Sequence, residues 1–250
     1  VKNLTKIGSG ATAKASWDVL RAVAIICKDE PHNDDLVTGI EATSSEEEER
    51  AIEIRTVQIA ITTNKQLRDQ PDSKFAFGNN GTFELLEKFV WPYQGLATSD
   101  YSQFGRNYWE VQFFGDAWVT QHGTFKFTKE YSGLENVLMW ENGSGSLSKN
   151  PKARIQGLGA QGKKGIVVTQ TRQLPAALYL GGFFDNNVSI LSFENSNIAA
   201  TVWCYCSSFE YYQSVRKLDE KLGVTNATLA KVPFDLDHWT KVAEEKYPNG

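Results

Sequence analysis

Apolar positions change their period several times along this chain. Val19–Lys28 (VLRAVAIICK) is a mostly apolar run rich in valine and isoleucine, bounded by polar residues. It is too short to stand alone as a helix and predicts a buried, interior strand of a sheet. Asp29–Asp35 is a polar connection with Pro31, after which Ser45-x-x-Glu48 has the spacing of a capping box. Glu46, Glu47, Glu48 and Glu49 then sit at the positive end of a short helix's dipole, as an ordinary solvated first turn. From Val57 the apolar residues Val57, Ile59 and Ile61 alternate with polar ones, which predicts a half-exposed strand ending before Pro71.

Proline, aspartate, serine, glycine and asparagine cluster over Gln70–Asn80 and mark a boundary. The division expected is 1–72 and 73–250. Beyond it tryptophan and tyrosine become frequent, and strand-like runs (Tyr108–Phe114, Thr124–Phe127, Val137–Trp140, Gly165–Thr171, Asn187–Phe193) alternate with glycine-containing turns. Two helices follow, Ile198–Cys206 and Ser208–Leu222. The second opens on Ser207-x-x-Glu210, carries Phe209, Tyr212, Val215, Leu218 and Leu222 on one face, and stops at Gly223. A last helix over Asp237–Lys246 has Asp237 as its cap and Trp239, Val242 and Lys246 at helical spacing. The pattern is α+β, a strand-rich body with supporting helices.

Composition narrows the classes. With 250 residues, 41% of them hydrophobic and 12% aromatic, the chain has ample material for a core. The net charge of −4 argues against wholesale wrapping of a polyanion and leaves room for a local basic loop. Cys27, Cys204 and Cys206 are too few for a disulfide framework, and no charged-then-apolar leader opens the sequence, so a cytoplasmic protein is expected. No apolar run reaches the ~20 residues that cross a bilayer. Starting at Val1 and ending on Pro248-Asn249-Gly250, the sequence reads as a piece of a longer protein.

Several constellations carry little chemistry. Ile7-Gly8-Ser9-Gly10-Ala11 resembles a nucleotide loop, but only six residues precede it and a strand is expected after it where a Rossmann loop needs a helix. Cys204-x-Cys206 would point to separate faces of a helix and fits buried small hydrophobes better than metal ligands. His32, His122 and His238 have no ligand spacing, and no G-x-S-x-G turn announces a hydrolase.

A basic turn is more informative. Lys163 and Lys164, between Gly162 and Gly165, project two ammonium groups suited to phosphate contact. Gln170, Arg172 and Gln173 then supply the side chains that pair with purine edges in a major groove, and strand alternation would place Gln170 and Arg172 on one side. Among the aromatics, Tyr101, Phe104, Tyr108 and Trp109 follow Gly95-Leu96-Ala97-Thr98-Ser99-Asp100, and Trp140 ends a strand; most such rings are core, and a minority stack on bases. Arg106 beside them would reach a phosphate or pair with Asp100 or Glu110.

Taken together and in order, GLATSDYSQFGRNYWEV (Gly95–Val111), ENVLMWENG (Glu135–Gly143), GKKGIVVTQTRQLP (Gly162–Pro175), FFDNN (Phe183–Asn187) and VTNATLAKVPFDLDHW (Val224–Trp239) resemble the carboxy-terminal, TaqI-like target-recognition region of adenine-specific DNA methyltransferases of type IIG-like restriction–modification systems. The segment from Ile7 through Lys28 resembles the piece that completes the family's α/β catalytic sheet. The resemblance implies double-stranded DNA as partner, with Arg106, Trp109, Trp140, Lys163, Lys164, Gln170, Arg172 and Gln173 as candidate contacts. It also implies methyl transfer from S-adenosylmethionine to a flipped adenine by the parent enzyme. The Asn/Asp-Pro-Pro-Tyr/Phe catalytic segment is missing from this sequence, whose Pro92-Tyr93 follows tryptophan, and so is the cofactor loop. The chain as given is therefore expected to recognise DNA without cofactor or methylation, completed by a catalytic domain in cis or a methylase subunit in trans. The alternatives are a separate specificity subunit and, from its seven tryptophans, a carbohydrate-binding module.

Overall fold

The computed structural model describes residues 2–8, 21–42, 47–68 and 83–249. The chain divides into two compact units, Val1–Thr82 with Arg216–Leu222, and Phe83–Val215 with Gly223–Gly250. Its secondary structure is mixed, with strand-rich sheets and several helices.

In the first unit, strands β1 (Asn3–Gly8), β2 (Arg21–Ile25), β3 (Leu36–Glu41) and β4 (Ala60–Thr63) form one sheet in the order β2-β1-β3-β4. β1 and β3 are parallel and the other pairs antiparallel. Alternation decides the faces: Leu4 and Val37 are buried, while Asn3 and Thr38, directly opposite each other, share a side-chain hydrogen bond of 3.0 Å on the other face. Helix α1 (Glu47–Thr56) precedes β4 and α2 (Asn64–Arg68) follows it at once. Two expectations are corrected here. β2, the described part of the expected Val19–Lys28 strand, lies at the sheet edge with Val23 and Ile25 exposed, because among the described residues it pairs with β1 alone. The strand read from Val57 begins at Ala60, since α1 continues to Thr56 and its Thr56 hydroxyl bonds the Ile52 carbonyl at 2.8 Å. Ser45, the cap read for α1, lies outside the described residues, as do Ser9–Ala11 of the glycine turn.

In the second unit the chain order is β5 (Glu84–Leu85), β6 (Trp91–Gln94), α3 (Tyr101–Phe104), β7 (Gly105–Asn107), β8 (Trp118–His122), β9 (Asn136–Met139), β10 (Lys164–Thr169), β11 (Ala176–Tyr179), β12 (Phe183–Phe184), β13 (Val188–Phe193), α4 (Ala199–Cys206), α5 (Phe209–Leu218), α6 (Asn226–Ala230), β14 (Pro233–Phe234) and α7 (Leu236–Lys246), with α5 passing out of this unit after Val215. The antiparallel sheet β11-β10-β13-β6 is its spine. Every residue of β13 and every residue of β10 after Lys164 is buried. Val167, Ala177, Val188 and Ile190 from this sheet pack with Ala160, Tyr179 and Phe184 into one core. Removing each branched side chain from water contributes about 1.5–3 kcal/mol, which makes this sheet a rigid platform for whatever its turns carry.

A second sheet, β12-β8-β9-β7, closes over Leu96, Phe104, Leu138, Leu147 and Phe183. Helix α4 packs on β10, β11 and α7 and is buried from Thr201 to Cys206. Its polar tips are satisfied at a distance: the Trp203 indole donates to the Tyr247 hydroxyl at 3.0 Å, and the Tyr205 hydroxyl to the Pro233 carbonyl at 2.6 Å.

Four further expectations change in this unit. Tyr108–Phe114 is no strand; Tyr108–Glu110 forms a single tight turn whose Asn107 cap exchanges bonds with Glu110, and the strand proper is β8. Thr124–Phe127 is likewise irregular. α5 ends at Leu218 and buries Tyr211 and Val215; of the expected face only Val215 is buried, with Phe209 69% exposed at the helix start and Leu222 55% exposed beyond its end. The cap of α7 is Asp235, which accepts from the His238 N–H at 2.9 Å, so the helix begins before Asp237.

Candidate functional site

The sequence-derived candidates fall at three places in the second unit. The first is the basic turn. Gly162 (φ 73) and Gly181 (φ 92) approach so closely that a Cβ on Gly181 would meet Gly162 backbone at 3.0 Å, and the Gly162 N–H donates to the Gly181 carbonyl at 3.0 Å. At Gly181 both the positive φ and this approach require glycine, and at Gly162 the positive φ alone favours it. Lys163 is half-buried, its ammonium donating to the Tyr93 hydroxyl at 3.2 Å, while Lys164 is exposed where it opens β10. One of the two cations is thus tethered and the other faces solvent.

The second place is the opposite end of β10. Six residues of strand at ~3.3 Å each separate Lys164 from Gln170, so the two clusters stand roughly 20 Å apart. β10 ends at Thr169, and the chain turns over Thr171–Leu174, with the Leu174 N–H donating to the Thr171 carbonyl at 3.1 Å. Arg172 (φ 59) and Leu174 (φ 53) are both in the left-handed region. The expected alternation of Gln170 with Arg172 therefore does not hold, because Arg172 lies in the turn. Gln170 is half-buried and donates both amide hydrogens, to Gln94 Oε1 at 3.1 Å and to Ser189 Oγ at 2.8 Å. Arg172 and Gln173 are exposed. Gln173 borders a hollow of about 230 Å³ lined also by Thr128, Cys206, Ser208, Phe209 and Tyr212.

The third place is the edge of the other sheet. The Arg106 guanidinium bonds the Ser102 and Gly105 carbonyls, not Asp100 or Glu110. Asp100 instead caps α3, and the Ser102 hydroxyl followed by the Gln103 N–H holds its carboxyl below the usual range. Trp109 is 62% exposed with its ring edge against Tyr108, ring centroids 5.0 Å apart. Trp140 is half-buried on Phe183, ring centroids 4.8 Å apart, and belongs to the core. The structure thus brings Gln170, Arg172 and Gln173 into one turn and Arg106 and Trp109 onto one edge, and does not join the two lysines or Trp140 to either.

Sequence reading passed over a groove of about 560 Å³ lined by Phe125, Lys126, Phe127, Lys129, Tyr131 and Glu135, among others. Phe127 and Tyr131 are 70% and 66% exposed. The Glu135 carbonyl accepts the Tyr108 N–H at 2.9 Å, which ties the groove to the Tyr108–Trp109 edge. The signal available was the crowding of aromatics between Tyr108 and Tyr131 in a segment without a continuous strand.

Gly8 ends β1, and the next described strand, β2, lies antiparallel beside it, where a cofactor loop needs a helix N-terminus. No three His, Cys, Asp or Glu side chains gather to hold a metal among the described residues, and no described helix is long and apolar enough to cross a membrane. The Cys204 and Cys206 thiols are buried, and burial pushes both upward in pKa, toward the protonated thiol. Neither a protein-family model nor a curated protein matches the chain.

Proposed function

We propose that this chain is the DNA-recognition part of a site-specific adenine methyltransferase of a restriction–modification system. Methyl transfer from S-adenosylmethionine would belong to a catalytic segment that this sequence does not include, supplied in cis or by a methylase subunit. Lys164, with Lys163 behind it, contacts phosphate, and Arg172 with Gln173 reads base edges. The observation that carries this reading is the Thr171–Leu174 turn, where two non-glycine residues hold positive φ beyond the buried end of β10. Such backbone persists only where the surroundings over-determine it, and here it presents a guanidinium and an amide, the two groups that pair with guanine and adenine in a major groove. The roughly 20 Å between that turn and Lys164 spans about six base pairs at 3.4 Å each.

The test is retention of DNA from a pool of random duplexes at two salt concentrations, followed by sequencing. Enrichment of one short motif is the expected result. Salt-sensitive retention without enrichment would remove base reading from this chain, and no retention at either salt would end the proposal. One observation favours a second reading, glycan binding: the Phe127–Tyr131 groove pairs exposed rings with two lysines and two glutamates, so it carries no net charge. Saccharide binding indifferent to salt would mark that case.

A further inference from the structure

Gln170 and Asn187 are neighbours through the backbone, the Gln170 N–H donating to the Asn187 carbonyl at 3.1 Å. Gln170 and Asn187 therefore lie at the spacing of paired strands, about 4.8 Å, or one to two base-pair steps, where the chain enters the turn that carries Arg172. The turn that carries Asn187 is firmly seated. Leu96 bridges Asp185, the Asn186 N–H donates to the Leu96 carbonyl at 3.1 Å, and the Gln94 amide donates to the Asn186 carbonyl. Gln94 in turn accepts from Gln170, so one amide chain locks both turns to β6 and β13.

The two amides differ in what they have left to offer. Gln170 has used both hydrogens, which leaves it nothing to donate to a purine. Asn187 is exposed, and its Nδ2 donates once, to Asp185 Oδ1 at 2.6 Å. Because a carboxylate only accepts, that bond fixes which end of the amide is nitrogen. One N–H and the carbonyl oxygen of Asn187 remain without a partner among the described residues. This donor and acceptor complement the N7 acceptor and N6 donor of adenine. Asp185 Oδ1 also accepts the Asn187 backbone N–H at 2.8 Å, so the amide is held in place before any ligand arrives and little rotamer freedom is lost on contact.

We infer that the Asp185–Asn187 turn is the second half of the base-reading edge, with Asn187 reading an adenine next to the base pair contacted by Arg172, and with Gln170 as the positioning residue that registers the two turns. This rests on the duplex-recognition reading above.

The experiment is the same random-duplex selection performed with the unaltered chain, Asn187→Ala and Arg172→Ala. The unaltered chain retains one motif. Asn187→Ala loses discrimination for A·T at one position by roughly 5- to 150-fold, the equivalent of one bidentate contact, and that position adjoins the one relaxed by Arg172→Ala. An unchanged motif with Asn187→Ala overturns the inference while leaving the recognition reading intact. Absence of any motif with the unaltered chain overturns both. Should Asn187→Ala unfold, Asn187→Gln decides: it keeps the amide but displaces it by one methylene, and undiminished preference at that position overturns the role assigned to Asn187.

Discussion

The His122 and Tyr179 rings lie 5.8 Å apart, centroid to centroid, and both side chains are almost wholly removed from solvent. Burial, opposed only by the ring's hydrogen bond to the Leu178 backbone, lowers the His122 pKa to about 4, and among the described residues its Nε2 has no hydrogen-bond partner. The unfolded chain takes up this proton near the ordinary value of 6.5, and the folded chain only near 4. Between those values the unfolded state binds more protons. Stability is therefore lost as pH falls from about 6.5 to about 4 and levels off below, by roughly 3 kcal/mol for this group. Urea unfolding at pH 7, 5.5 and 4.5 measures the slope; His122→Leu should flatten it, and a slope unchanged by that substitution would assign the effect elsewhere.

Lys164→Ala should weaken duplex binding alike for every sequence and reduce the slope of log affinity against log salt by about 0.9, the value for one phosphate contact. Lys163→Ala should do less, because its ammonium is already held by the Tyr93 hydroxyl. Salt titrations of the two variants compare them directly, and equal slopes for both would remove the distinction.

Gln170→Ala takes a donor from both Gln94 and Ser189 in a half-buried place. A loss of about 1–2 kcal/mol is expected, read from the shift in urea midpoint.

Gly95→Ala should be far more damaging than an exposed glycine change. A Cβ there would meet the Asp185 carbonyl oxygen at 2.1 Å and other backbone atoms within 3 Å. Backbone on both sides cannot yield as a side chain would, and about 2–4 kcal/mol is expected. Gly223→Ala, with nothing within 4 Å of its added Cβ, is the control.

Local pattern revealed the most deeply buried elements. β10 and β13 announce themselves as runs of branched apolar residues, and α4 as an apolar stretch longer than its strand neighbours. β8 stayed hidden because Gln121 and His122, polar types, end it while being buried, which breaks the alternation a strand should show. β11 follows Pro175 with two alanines, residues of weak strand preference, and is fixed by pairing with β10 instead. The candidate contacts divide in the same way. That Lys164, Arg172 and Gln173 are exposed was legible from residue type. That Gln170 is engaged was not, since its partners Gln94 and Ser189 are 76 and 19 residues away. Asn187 was passed over because an asparagine after aspartate in a turn is common, and only the count of its remaining hydrogen-bonding groups sets it apart.

The pairing of β5 with β14 sets a timetable for synthesis. Pro233 lies opposite Leu85, so β5 leaves the ribosome about 150 residues before its partner exists, and at the usual 5–20 residues per second it waits roughly 7–30 s. β6 waits in the same way for β13, about 100 residues later. The early strands of this unit therefore emerge as unpaired edges in the cell, and the tunnel exit, where chaperones meet nascent chains, is where this fold is most exposed to error.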